Sequence, residues 1–264
     1  MKGTKMKKKH LKILITLLLI LMLGILSIPF SKYFSIATHS QLMKTETIRT
    51  DLPKDVADPE PIQAPRLKDV LKASVNQNKS ALGQIVAPSV AVSQPIFVGL
   101  TQENMAQGTV SLFPDRNPES HSLTIIGHHV QYDSSLLFGG IQELENGADV
   151  YVRYFDNYYA YKVESNRIIR ETDLSELQDK GPNYLYLITC NSSTETPYRV
   201  LVTAKKVTES PVKKAQSAFH EKQNAIQKKT NKNLLVEISP TTFGCSNTCS
   251  SLSYLYLETM TNNK

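Results

Sequence analysis

The sequence has little cysteine: Cys190, Cys245 and Cys249 are its only three in 264 residues. An odd count leaves at least one thiol without a partner in the chain, so a fully paired disulfide framework is excluded. No acidic residue stands in the first 12 positions, which hold Lys2, Lys5, Lys7, Lys8, Lys9 and Lys12. Those six lysines account for the whole formal excess of +6, so the rest of the chain is neutral overall. A basic surface for nucleic acid is thereby excluded as the main reading. No internal repeat is visible, and towards the C-terminus nothing is long and apolar enough to span a membrane.

What is present begins with an uncharged apolar run over residues 13–30, "ILITLLLILMLGILSIPF", directly behind the basic tail 1–12. A secretory signal core runs about 7–15 apolar residues and a spanning helix about 17–25. The length and the preceding lysines predict a signal anchor with a cytoplasmic N-terminus and the remainder outside. A cleaved signal peptide, with "SIA" at 35–37 as the small-residue site, is the alternative. Residues 31–80 are polar and carry Pro53, Pro59, Pro61 and Pro65, as a stalk would. Within them Leu67, Val70, Leu71 and Val75 recur with a helical period, so a short helix is expected over 66–77.

From residue 81 the texture changes to short β-branched and aromatic runs punctuated by turn residues, as in "SLTIIGHH", "NYYAYKVESNRIIRET", "NYLYLITC" and "YRVLVTAKKV". "LLFGGIQELENGADVYVRYF" reads as a helical turn, a turn at Glu145-Asn146-Gly147 and a strand. About eight short strands with few helices between them predict a mainly β barrel or sandwich over 81–209. Residues 210–264 form an extension of unassigned role. Its "PVKKAQSAFHEKQNAIQKKTNK" has helical propensity, while "NLLVEISPTTF" and "SLSYLYLETM" are candidates for two further strands. Cys245 and Cys249 in "GCSNTCS" could bridge each other, which would leave Cys190 free.

Cys190 closes one apolar run and Arg199 opens the next. If the two strands pair antiparallel, the residues become neighbours. A guanidinium beside a thiol can lower its pKa and can stabilise an oxyanion formed when a thiolate attacks a carbonyl. The plain alternative is a small buried hydrophobe beside a solvated strand-edge charge. A cysteine nucleophile usually works with a histidine. His10, His39, His121 and His220 lie in the tail, the stalk, a polar turn and the basic extension, which leaves His128 and His129 at the end of "SLTIIGHH". No cysteine or acid stands near that pair at metal-ligand spacing, so no metal site is expected.

"TIIGHH", "YLITC" and "YRVLV", in that order, resemble the three active-site segments of the sortases, membrane-anchored cysteine transpeptidases of Gram-positive bacteria. "GQIVAPSVAVSQPIFVGLT" and "LLFGGIQELENGADVYV" are similar to class A members, and the resemblance covers about residues 83–207. It implies an eight-stranded sortase-type β-barrel with a few short helices and an N-terminal transmembrane helix. It implies Cys190 as nucleophile, His128 as acid and base, and Arg199 as oxyanion and substrate ligand. His129 is treated as non-catalytic. Thr189 matches a family threonine near the bound substrate, and Ile126 and Ile188 match positions that wall its groove. The implied reaction cleaves a Leu-Pro-x-Thr-Gly sorting signal between Thr and Gly through a thioester. The protein is then passed to a peptidoglycan-precursor amine, with no metal or organic cofactor. Partners would be secreted proteins with C-terminal sorting signals, and the catalytic domain would be extracellular.

The sequence departs from the family in several places. Asn191 replaces a frequent acid after the cysteine, and Ile126 a usual alanine. Only Asp115 and Glu119 stand where some members bind calcium, so no calcium requirement is expected. A pilin-polymerising sortase and a non-catalytic, membrane-tethered β-domain that binds cell-wall partners remain as alternatives. A papain-type hydrolase would run Cys before His, opposite to His128 and Cys190.

Overall fold

A computed structural model of the chain describes residues 11–25, 48–53, 56–57, 81–129, 137–192, 196–207 and 212–237. The expected helix at 66–77, most of the stalk, and Cys245 and Cys249 lie outside the described residues. Residues 11–25 are helical, and their leucines and isoleucines are exposed. The last part of the apolar run 13–30 lies outside the described residues, and among those described no helix is long and apolar enough to cross a membrane.

The β-rich region folds as eight strands: β1 (Gly83–Ala87), β2 (Val92–Val98), β3 (Thr109–Ser111), β4 (Leu123–Gly127), β5 (Asp149–Tyr154), β6 (Asn157–Arg170), β7 (Tyr184–Cys190) and β8 (Tyr198–Lys206). They close a barrel in the order β1-β2-β3-β4-β7-β8-β6-β5, as expected of the mainly β class. The β2–β3 and β4–β7 pairs are parallel and the others antiparallel. Single turns of 3-10 helix occur at Pro88–Val90, Gly139–Glu143 and Leu174–Leu177, and a short helix α1 spans Gln102–Gln107. The turn ahead of β5 closes at Gly147, whose φ of 85° is left-handed and whose N–H reaches the Val163 carbonyl at 2.7 Å.

Side chains alternate across a strand, and the barrel uses that period to sort its residues. Ile85, Ile96, Ile125, Val150, Val152, Leu187 and Val202 point inward and are fully buried together. Burying each such side chain contributes roughly 1.5–3 kcal/mol. On β5 the intervening residues are exposed or half-buried, but β7 is buried along most of its length. Its outward residues Tyr186 and Ile188 pack under a second apolar cluster with Ile169, Leu177 and Leu201. β7 is therefore covered on both faces, and the outer cover lies on the strands that end at Cys190, Arg199 and Gly127.

The extension contains helix α2, Val212–Glu237, as its propensity predicts. The helix runs through "NLLVE", which corrects the strand expected there; a short apolar run is ambiguous between the two states. The rest of "NLLVEISPTTF" and all of "SLSYLYLETM" lie outside the described residues. The chain divides into two compact units, Met1–Gln223 and Asn224–Lys264. The unit holding the barrel thus runs past the expected limit at 209, through the first half of α2. There Ala215, Phe219 and Gln223, four residues apart on one helix face, are all buried. Phe219 packs edge-on against Tyr158 with ring centroids 5.4 Å apart, and the Gln223 amide donates to Gln84 Oε1 at 3.0 Å.

Candidate active site

Strand register assembles the site. In the antiparallel β7–β8 pair Cys190 lies directly opposite Arg199, which sets their Cα atoms about 4.5–5.5 Å apart. In the parallel β4–β7 pair Ile126 lies opposite Ile188. His128 follows Gly127, the last residue of β4, and Cys190 is the last residue of β7. The two-residue period also settles the face. Ile188 and Leu201 belong to the outer apolar cluster, with Ile126 packed against it. Cys190 and Arg199 each stand two residues from one of these and so share the outer face, and His128 follows directly on the end of β4. Cys190 and Arg199 thus meet at the end of β7 and the start of β8, and the chain bearing His128 and His129 leaves the neighbouring β4 there, with His129 Nδ1 2.9 Å from the Cys190 carbonyl.

Packing explains the glycine before His128. A Cβ on Gly127 would stand 2.7 Å from Cβ of Phe138, a buried core residue. Only glycine lets β4 approach the segment that returns from the loop, where the Phe138 N–H donates to the His128 carbonyl at 3.0 Å. His128 is buried. Ile188 is buried in the outer apolar cluster, with Ile126, Leu112 and Phe113 packed against it.

Thr189 is 1% exposed and lies opposite inward-facing Val200, and its hydroxyl donates to the Gly127 carbonyl at 2.9 Å. Strand alternation turns its side chain to the face opposite that of Cys190. It ties the end of β7 to the residue before His128. His129, treated above as non-catalytic, sits against the main chain of Cys190. Its Nδ1 lies 2.9 Å from the Cys190 main-chain carbonyl. Because a carbonyl only accepts, Nδ1 carries the hydrogen in this contact. The chain leaves β4 after Gly127, so strand alternation no longer governs His129.

The Cys190 thiol is half-buried. Its pKa is raised above the ordinary value, first by burial; Arg199 acts in the opposite direction and Glu171 adds to the rise. The resting thiol is accordingly mainly protonated at neutral pH. Arg199 is held from several sides. Its Nη1 donates to the carbonyls of Thr196 and Tyr198, at 2.5 and 3.0 Å, and its Nη2 to Glu171 Oε2 at 2.5 Å. Asn191, at the position of the family's frequent acid, accepts from the Thr196 hydroxyl at 2.9 Å and so braces the β7–β8 loop. Glu171 was not singled out from the sequence. Only the β6–β8 register brings it near Arg199, and no local motif marks it.

A thiol, an imidazole and a guanidinium brought to one site can perform acyl transfer. The thiolate attacks, the imidazole moves protons, and the guanidinium stabilises negative charge on oxygen. Among the described residues, no group of three His, Cys, Asp or Glu side chains is arranged to hold a metal ion.

Comparisons with known proteins agree with this reading. A family model described as "Sortase domain" matches residues 85–207. Sortase A of Listeria monocytogenes serovar 1/2a is 31% identical over 212 residues, covering 76% of this chain and 95% of that protein. Sortase A of Bacillus anthracis is 24% identical over 204 residues, covering 75% and 95%. Among solved structures, Listeria monocytogenes sortase A is 29% identical, covers 50% of this chain and 93% of its own, and superposes with a TM-score of 0.45.

Proposed function

Because this chain belongs to the sortase family and is a cysteine transpeptidase, we propose that it cleaves a Leu-Pro-x-Thr-Gly-type sorting signal between Thr and Gly and joins the new carboxyl end to a peptidoglycan-precursor amine. The observation that carries this reading is the convergence of Cys190, Arg199 and the end of β4 on one outward face of the barrel. The apolar wall that approaches it, Ile126 and Ile188, suits the Leu-Pro portion of such a signal.

In this mechanism Cys190 attacks the Thr carbonyl carbon as a thiolate, and the carbonyl oxygen becomes an oxyanion stabilised by Arg199. The C–N bond breaks, and protonated His128 gives its proton to the departing glycine amine. The product is a thioester between Cys190 and the threonine. An acceptor amine then loses a proton to His128 and attacks the thioester, which releases the new amide and regenerates the thiol. Burial keeps the resting thiol protonated, so the reactive form is a minority thiolate–imidazolium pair rather than a standing anion. Thr189 acts from beneath by fixing the end of β7 to the Gly127 carbonyl.

The exposed apolar helix at 11–25 supports membrane insertion of the run 13–30, since a helix apolar on all sides needs a nonpolar surround. The basic tail 1–12 would stay in the cytoplasm and the stalk would carry the barrel outside. The test is to incubate the full chain in detergent with a Leu-Pro-x-Thr-Gly peptide and hydroxylamine. Formation of the threonine hydroxamate supports the reading. An intact peptide, or cleavage at another bond, refutes it.

A further inference from the structure

The β6–β8 register brings an acid to the basic member of the site. Ile169 lies opposite Arg199 and Arg170 opposite Tyr198, and the Glu171 N–H continues the ladder to the Pro197 carbonyl at 2.9 Å. Glu171 stands two residues beyond outward-facing Ile169, so it emerges on the same outer face as Arg199. Its carboxylate accepts from Arg199 Nη2, while the Thr196 and Tyr198 carbonyls take Nη1. Arginine presents five N–H donors in a rigid planar fork. Holding one edge of the fork fixes the direction of the donors that remain. The backbone carbonyls of Thr196 and Tyr198 hold that edge from the start of β8, and Glu171, just past the end of β6, is the one side chain that joins them among the described residues.

We propose that Glu171 is a positioning residue for the transpeptidation, a tether just past the end of β6 that aims the Arg199 guanidinium across Cys190. This rests on Arg199 being the oxyanion ligand, as set out above. The tether has a second consequence. The groups around the thiol are Arg199 on β8, Glu171 beyond β6, and His128 and His129 beyond β4. Burial chiefly raises the thiol's pKa, Arg199 lowers it, and Glu171 offsets part of that lowering. The charged and the hydrogen-bonding functions of Glu171 can therefore be separated by substitution.

The experiment compares Glu171→Ala, Glu171→Gln, Cys190→Ala and Arg199→Ala with the wild type, each as the full chain in detergent, in the hydroxamate assay. The Glu171 side chain is 50% exposed, so neither substitution opens a core cavity, and a thermal melt checks this. Glu171→Ala is expected to lower kcat/KM by about tenfold to a hundredfold, the range a misplaced reacting group costs. Glu171→Gln keeps an acceptor oxygen and should stay within about threefold, because a neutral acceptor retains roughly half the strength of a charged one. The rate of Cys190 alkylation by iodoacetamide against pH should move to lower pH in Glu171→Gln, since an anion near the thiol is gone. Wild-type kcat/KM in Glu171→Ala, no rescue by glutamine, or an unmoved alkylation curve would each overturn the proposal. Activity retained in Cys190→Ala or Arg199→Ala would instead overturn the mechanism beneath it, so the two failures are distinct.

Discussion

Helix α2 gives the sharpest quantitative prediction, because it lies beyond the limit assigned from sequence. Phe219 is fully buried and rests on Tyr158 of β6, on the part of the barrel formed by β1, β5 and β6 rather than the β4–β7–β8 end. Phe219→Ala removes the ring from a site whose neighbours are held by the closed sheet, so little collapse is possible. Such truncations cost about 3–5 kcal/mol. For a domain of roughly 150–250 residues each kcal/mol moves Tm by about 2–4 °C. The expected fall is therefore about 6–20 °C, read by differential scanning calorimetry or by loss of tyrosine near-ultraviolet dichroism. Well below the transition, kcat/KM should change by less than about threefold, since no reacting group is touched. A fall in Tm under about 2 °C would show that α2 is not part of the folded unit and would refute the reasoning.

His128→Ala should cost far more kcat/KM than His129→Ala, because His128 takes the position after Gly127 that the family resemblance marks as acid and base while the His129 ring is engaged with the Cys190 carbonyl; equal losses in steady-state peptide cleavage would contradict this. Arg199→Lys keeps the charge but loses the planar fork, and should lower kcat by about 10²–10³, as loss of an oxyanion donor does; a lysine variant near wild-type rate would reduce Arg199 to a diffuse charge. Cys190 alkylation should have its pH midpoint above that of a free cysteine peptide, because burial raises the thiol's pKa. By linkage, the stability contributed by the neutral thiol is full below the ordinary thiol pKa and is lost as pH rises through the raised one. A midpoint at or below the free value would mean that the cationic neighbours outweigh burial.

The barrel was legible because its strands are short, β-branched and separated by turn residues, and the two-residue period sets Ile188 and Cys190 on one face of β7. The same period points Thr189 inward, where its hydroxyl reaches the Gly127 carbonyl. Glu171 was invisible because its approach to Arg199 depends on the β6–β8 register, which shifts between Val163 and Ser165 and has no local signature. The docking of α2 left a trace in the spacing of Ala215, Phe219 and Gln223. Its third member is an amide, however, and a buried glutamine satisfied by Gln84 reads as polar surface when only the sequence is in view. Asn233 to Glu237 read as a strand because a short apolar run fits either state until the helix before it is known to continue.

The central claim is that acyl transfer passes through a thioester on Cys190. It is tested most directly by mixing the full chain in detergent with a Leu-Pro-x-Thr-Gly peptide without any acceptor amine, quenching in acid and measuring intact mass followed by peptide mapping. The account predicts a covalent increment equal to the Leu-Pro-x-Thr acyl fragment. It should lie on the peptide that contains Cys190, be released by hydroxylamine as the hydroxamate, and be absent in Cys190→Ala. Peptide cleavage that persists in Cys190→Ala, or an acyl adduct mapping to any other residue, would contradict it.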